Sequence, residues 1–204
     1  MNYFDFRRDN IDRCCFSIYG ASDISQSARS SNLTRWVKEG KLVKLRKGWY
    51  AFPERARDNA DRMFIANNIY APSYVSLFFA LSYYEMIPES VSSITSITTL
   101  KTSEFTSEAG TFSYKSVKPS MFFGYDVKTA SRQMPYMMAS PEKALLDLIY
   151  LYPEYSSVSD AEELRLDEDF MKEEFNWSRI HEYLAVIGSR ALASRIGIIE
   201  KVYR

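Results

Sequence analysis

The sequence predicts an α+β protein in two parts: a small N-terminal unit over residues 1–57 that reads helix, helix, hairpin, and a mixed α/β domain over residues 58–204. Three observations carry this. An amphipathic pattern around Leu33 to Lys38 stops at Gly40 and runs into two short strand-like segments. Charge reverses near residue 57, with twelve Lys/Arg against six Asp/Glu before it and fourteen against twenty after it. Beyond that point, apolar helical runs and β-branched runs share the chain without an internal repeat.

In the N-terminal unit, Ile11 to Tyr19 is a mixed apolar stretch that ends at Gly20 and is expected to supply the first helix. Ser31 and Asn32 are N-cap residue types immediately before Leu33, and Gly40 is a natural C-terminal stop. Between them Leu33, Trp36 and Val37 have i, i+3, i+4 spacing and must face inward, which leaves Thr34, Arg35 and Lys38 on the opposite side. Leu42 to Arg46 and Trp49 to Phe52 read as two strands joined at Arg46-Lys47-Gly48, where glycine tolerates the positive φ of a tight turn. The aromatics Trp49, Tyr50 and Phe52 are expected to fill a small core rather than to stack on bases. Pro53 and the charged run from Glu54 to Asp58 mark the boundary.

After the boundary, helices are expected over Asn59 to Tyr70 and Ser76 to Met86, the second ended by Pro88. Strands follow at Ser93 to Lys101, Thr111 to Val117 and Phe122 to Val127, with Glu108-Ala109-Gly110 forming the turn between the first two or an intervening short strand. Ser140 caps a helix that has Pro141 at its first position and Glu142 in its first turn, where the missing N–H is harmless and the helix dipole favours a carboxylate. Ala144, Leu145, Leu148 and Ile149 form its buried face. An acidic linker through 160–174 then leads to two helices over Asn176 to Arg204, split near Gly188-Ser189.

Composition limits the classes. With 46% hydrophobic and 25% charged residues the chain has enough apolar surface to fold. Its two cysteines, Cys14 and Cys15, are adjacent, a spacing too strained for an ordinary disulfide, which favours a reducing, cytoplasmic setting. The first ten residues carry Asp5, Arg7, Arg8 and Asp9 and no apolar h-region, so neither an export signal nor a membrane partner is expected. The formal net charge is zero, but nine basic residues fall between Arg29 and Arg57 (Arg29, Arg35, Lys38, Lys41, Lys44, Arg46, Lys47, Arg55, Arg57) against only Glu39 and Glu54. That local excess points to nucleic acid.

A capped amphipathic helix followed by a cationic hairpin is the sequence order of a winged helix-turn-helix. The major groove of duplex DNA admits one helix, and a hairpin can touch the flanking backbone. The candidate DNA-binding set is Ser31 and Asn32 at the helix N-terminus, Thr34, Arg35 and Lys38 on its outward face, and Lys41, Lys44, Arg46 and Lys47 leading through the hairpin. Ser31 and Asn32 sit where free N–H groups suit a phosphate. The competing reading is a small helical domain whose basic face is merely solvated or serves protein contacts.

The run from Asn32 to Pro53 (NLTRWVKEGKLVKLRKGWYAFP) resembles the recognition helix and wing of AbiEi-type antitoxins. Downstream, Tyr74 to Leu77 (YVSL), Leu81 to Pro88 (LSYYEMIP), Ser93 to Thr99 (SITSITT), Phe112 to Lys115 (FSYK) and Ala139 to Leu148 (ASPEKALLDL) are similar to that family's C-terminal domain. Many winged-helix regulators share the wing motif, whereas the joint order of the later segments is more specific. The resemblance spans roughly residues 30–151. It implies an antitoxin that binds double-stranded DNA upstream of its own operon, represses that operon, and counters a nucleotidyltransferase-like toxin encoded beside it. Direct contact with the toxin is not implied; a homodimer on DNA is compatible with it. The runner-up is a winged-helix regulator with a ligand- or protein-sensing C-terminal domain and no toxin partner.

An enzyme reading finds little in the motifs. Asp167 and Asp169 form a D-x-D pair, but the Gly188-Ser189 pair lies downstream of it, the reverse of the nucleotidyltransferase order, and the pair belongs to an acidic stretch. His181 is the only histidine, which excludes a His-rich zinc site, and no phosphate-binding glycine loop occurs. No catalytic residue, cofactor or metal is expected.

Overall fold

The computed structural model describes residues 2–19, 30–130 and 133–204. Gly20 and Arg29 therefore lie outside the described residues. The chain is a mixed α+β protein with two sheets. No described helix is long and apolar enough to cross a membrane.

The first helix, α1, is Tyr3–Asn10, earlier than expected, with the Asn2 side chain accepting from the backbone N–H of Asp5. The stretch after it is not helical. Its apolar residues instead include a short strand, β1 (Phe16–Ser17), whose Phe16 pairs with Tyr50. The amphipathic helix α2 spans Ser30–Lys38, so Ser31 and Asn32 lie in its first turn rather than at the cap, a shift of the size by which helix ends ordinarily fray. Leu33 and Trp36 are buried and Val37 partly so, as the spacing demands. Gly40 follows at φ +67°.

Strands β2 (Val43–Arg46) and β3 (Trp49–Ala51) form the expected hairpin, and β1 extends it to an antiparallel sheet of order β1-β3-β2. Gly48 sits at φ +78°, and the ring of Tyr19 occupies the space a Cβ would need, so two separate constraints select glycine there. Side chains alternate along β3. Tyr50 and Phe52 join Phe6, Phe16, Leu33, Trp36 and Leu42 in one aromatic core. Val43, Leu45 and Ala51 turn to a second core. Both faces of β3 are covered, whereas β2 alternates and leaves Lys44 outside.

That second core continues past residue 57. After α3 (Pro53–Ala56) comes α4 (Asn59–Ile69), capped by Asp58, and Ala56, Met63, Ile65, Ala66 and Ile69 meet Val43 and Leu45 there. The charge boundary at 57 thus coincides with the start of α4, while apolar packing runs across it.

The larger sheet has order β6-β7-β5-β4-β9-β8. Its strands are β4 (Ser73–Val75), β5 (Ile94–Thr98), β6 (Ser103–Ser107), β7 (Gly110–Ser116), β8 (Tyr125–Thr129) and β9 (Pro135–Ala139). Here β4 pairs parallel with β9 and antiparallel with β5, while β5 and β7 are parallel. The helix α5 (Leu77–Tyr83) follows β4 and ends before Pro88 is reached. Tyr74 enters a third core and Val75 the second, so the period of two in β4 distributes side chains to both sheet faces. The third core gathers around α6 (Pro141–Leu151), whose residues from Glu142 to Ile149 are all buried and whose cap is Ser140, as expected.

The acidic segment is not a bare linker. It folds as α7 (Val158–Glu163) and α8 (Glu168–Glu173), because Ala161, Leu164, Leu166, Met171 and Phe175 are spaced to bury against α6 and its neighbours while the carboxylates stay outside. The last helices, α9 (Trp177–Ile187) and α10 (Arg190–Tyr203), meet at the expected hinge: Gly188 takes φ +67° and Ser189 caps α10 by accepting from Leu192 N.

Candidate nucleic-acid interface

On α2 the inward stripe of Leu33 and Trp36 leaves Ser31, Thr34, Arg35 and Lys38 exposed and Asn32 half-buried. The aromatic core fixes this orientation. Trp36 packs on Phe6 with ring centroids 5.0 Å apart and on Tyr3 at 5.5 Å, so rolling α2 about its axis would tear a fully buried indole from two rings. The hairpin adds exposed Lys44 on β2 and exposed Lys47 at the turn.

Glu39 controls the charge at the end of α2. Lys41 Nζ lies 2.7 Å from one carboxylate oxygen and Arg35 Nε 3.8 Å from the other. The hydrogen bond from Lys41, reinforced by the Arg35 charge, holds the Glu39 carboxyl below its usual range. Arg35 also places Nη2 3.5 Å from Asn32 Oδ1, and Lys41 stands 5.3 Å over the ring of Tyr3. All these ion pairs are exposed, so phosphates can compete for both cations with little penalty. Lys38, Lys44 and Lys47 form no ion pair among the described residues.

Arg46 does not belong to the outward set. It was expected to follow a duplex backbone from the hairpin, yet its Nη1 donates to the carbonyl of Ile69 at 2.7 Å, and its guanidinium lies 4.6 Å from the Phe105 ring centroid and 5.5 Å from that of Tyr70. A cation that ends a helix and covers two rings is held inward by both contacts. Arg55, counted in the basic run, is likewise internal. It is buried, its Nη1 is 2.9 Å from Asp61 Oδ2, and its Nε donates to Ile11 O. The same Asp61 accepts from the Cys14 thiol at 3.2 Å, and burial together with that carboxylate pushes the thiol up to about 12.

Sequence reasoning overlooked α1, which packs Tyr3 and Phe6 against Trp36 of α2. Arg7 pairs with Glu54 at 2.6 Å, while Arg8 is largely exposed and Phe4 stands out from the same helix at 79% exposure. The available signal was the Asn2 cap followed by Asp5, which marks a helix start ahead of the apolar stretch.

A second polar constellation lies inside the larger domain. Lys143 and Asp147, one turn apart on α6, form an ion pair with both side chains fully enclosed. Tyr74 donates to Asp147 Oδ2 at 2.9 Å and accepts from Lys143 Nζ at 2.8 Å, and Ser76 donates to the same oxygen at 2.8 Å. Burial raises the Asp147 carboxyl and lowers the Lys143 amine, and their mutual attraction opposes both shifts. Being sealed on all sides, these groups hold β4 to α6 and meet no solvent.

The residues weighed for catalysis stay dispersed. Asp167 caps α8 by accepting from Phe170 N, and His181 is an exposed residue of α9 whose Nε2 lies 2.9 Å from Glu200. Among the described residues no group of three or more His, Cys, Asp or Glu could hold a metal ion. The aromatics Tyr50 and Phe52 are core residues, with Trp49 packed partly against the second core. Compared with known proteins, the sequence matches no family model and no curated protein.

Proposed function

We propose that this chain is a cytoplasmic, duplex-DNA-binding regulator built on a winged helix-turn-helix, and that it acts as the AbiEi-type antitoxin and autorepressor of a toxin–antitoxin operon. One observation carries the DNA-binding part. A single helix, α2, buries Leu33 and Trp36 in an aromatic core, exposes Thr34, Arg35 and Lys38, and is followed directly by a hairpin that exposes Lys44 and Lys47. A rigid helix with a short polar and cationic stripe suits base edges in a major groove, and hairpin lysines suit the flanking phosphates.

The antitoxin part rests on the resemblance, and the packing of the larger domain supports it. Two of the segments that carry it, YVSL and ASPEKALLDL, supply all four members of the sealed Tyr74, Ser76, Lys143 and Asp147 network. Residues far apart in sequence are therefore coupled through one constellation, as expected of a motif set that defines a domain.

The test is fluorescence anisotropy on a duplex from the region upstream of the gene, against a scrambled duplex of equal length. With Arg46 and Arg55 turned inward, about three to five of Arg35, Lys38, Lys41, Lys44 and Lys47 remain to neutralise phosphates, so the log–log salt slope should be roughly −3 to −4.5. A flat salt response, or equal affinity for the scrambled duplex, refutes sequence-specific binding. For the antitoxin role, co-expression with the product of an adjacent nucleotidyltransferase-like gene should restore growth that the product alone arrests.

A further inference from the structure

Between the first turns of α4, the end of α5 and the segment entering β5 lies a cavity of about 490 Å³, within the size range of small-molecule sites. Its walls combine apolar groups, chiefly Met63, Phe79, Tyr83 and Val91, with the hydroxyls of three serines. Among the described residues that line it, Arg62 alone is charged.

The setting of that guanidinium is unusual. Nη1 donates to Asn59 Oδ1 at 3.2 Å and Nη2 to the carbonyl of Ser92 at 3.0 Å, two neutral acceptors that fix its plane without offsetting its charge. Its Nε is enclosed, and among the described residues it has neither a hydrogen-bond partner nor a carboxylate in an ion pair with the guanidinium. Gly110, at φ +105°, makes room for it, since a Cβ there would come within 2.6 Å of Nη2. Burial lowers the Arg62 pKa. Partly burying a guanidinium without a counter-ion is unfavourable, and the remedy it accepts most readily is a carboxylate. At the rim, Tyr83 is 45% exposed, and Lys128 Nζ stands 5.0 Å over its ring, which adds a second positive charge beside the cavity.

We propose that this cavity binds a small organic acid with a planar apolar body, its carboxylate paired with Arg62 and its body packed against Phe79 and Tyr83. Arg62 acts here as a recognition group, and the site is independent of whether the protein binds DNA.

Benzoate and its neutral isostere benzamide are the probes, titrated into the isotopically labelled full chain and followed by amide chemical shifts. Benzoate should shift the amides of Asn59, Arg62 and Ser90 to Ser92 saturably and bind at least about tenfold more tightly than benzamide, a difference of about 1.4 kcal/mol. Arg62→Gln, checked for folding by circular dichroism, should erase that preference. If this variant does not fold, the shift map and the benzoate-to-benzamide ratio of the unmodified chain decide. Absence of saturable shifts, shifts that map elsewhere, or equal affinity for the two probes overturns the proposal.

Discussion

Arg46 Nη1 donates to the carbonyl oxygen of Ile69 at 2.7 Å, joining the tip of the N-terminal hairpin to the end of α4. A charged donor satisfies a helix-terminal acceptor while its guanidinium covers Tyr70 and Phe105. Arg46→Ala should therefore lower stability by about 1.5–3 kcal/mol, the usual worth of a hydrogen bond to a charged group. Urea denaturation measures this. The salt slope of DNA binding should be the same in Arg46→Ala as in the parent; a slope reduced by about one would mean that Arg46 contacts phosphate.

Arg35 and Lys47 carry the same charge and are assigned different work. If α2 occupies the major groove, Arg35→Ala should lose roughly 1–3 kcal/mol on the cognate duplex and much less on unrelated duplex. Lys47→Ala should weaken both alike. Anisotropy on cognate and scrambled DNA separates the two outcomes. An unchanged specificity ratio in folded Arg35→Ala would remove this helix from the groove.

The Lys143–Asp147 pair predicts strong coupling. Asp147→Asn leaves a sealed ammonium without its counter-charge and should destabilise by about 3–5 kcal/mol. Since Lys143, Tyr74 and Ser76 all converge on Asp147, Lys143→Met combined with Asp147→Asn should be less destabilising than the sum of the single changes, by about 0.5–3 kcal/mol. Additivity in thermal or chemical melts would show that the groups act separately.

Both cysteines should be inert at neutral pH. Burial and then Asp61 raise Cys14 to about 12, and burial raises Cys15 as well. A raised native pKa means the thiol stays protonated in the folded chain while the unfolded chain ionises at the ordinary value of about 8.5. The associated stability is complete below that value and falls as pH rises from about 9 towards 12. A disulfide exchange reagent at pH 8 should react slowly with the folded protein and promptly with two thiols in denaturant. Rapid native reaction would contradict this environment.

Much of the secondary structure was legible because its determinants are local. The Leu33, Trp36, Val37 stripe set the faces of α2, Gly40 and Gly48 marked positions at positive φ, and Ser140-Pro141 and Gly188-Ser189 carried their caps in the sequence itself. Less was visible where the signal is short or shared. Strand β4 has three residues buried on both faces, so it shows no alternation, and β9 begins at a proline. The acidic charge of 160–174 concealed the apolar spacing of α7 and α8.

What the amino-acid sequence determined alone is where charge accumulates and which helix face is polar, since composition and a 3.6-residue period fix both. What only the tertiary structure decided is which cations face outward. Arg46 and Arg55 read like their neighbours in the basic run, but Ile69 and Phe105 draw the first inward and Ile11 the second. A charge count is blind to this because a guanidinium is long enough to reach either solvent or a distant acceptor, and the choice depends on partners remote in sequence.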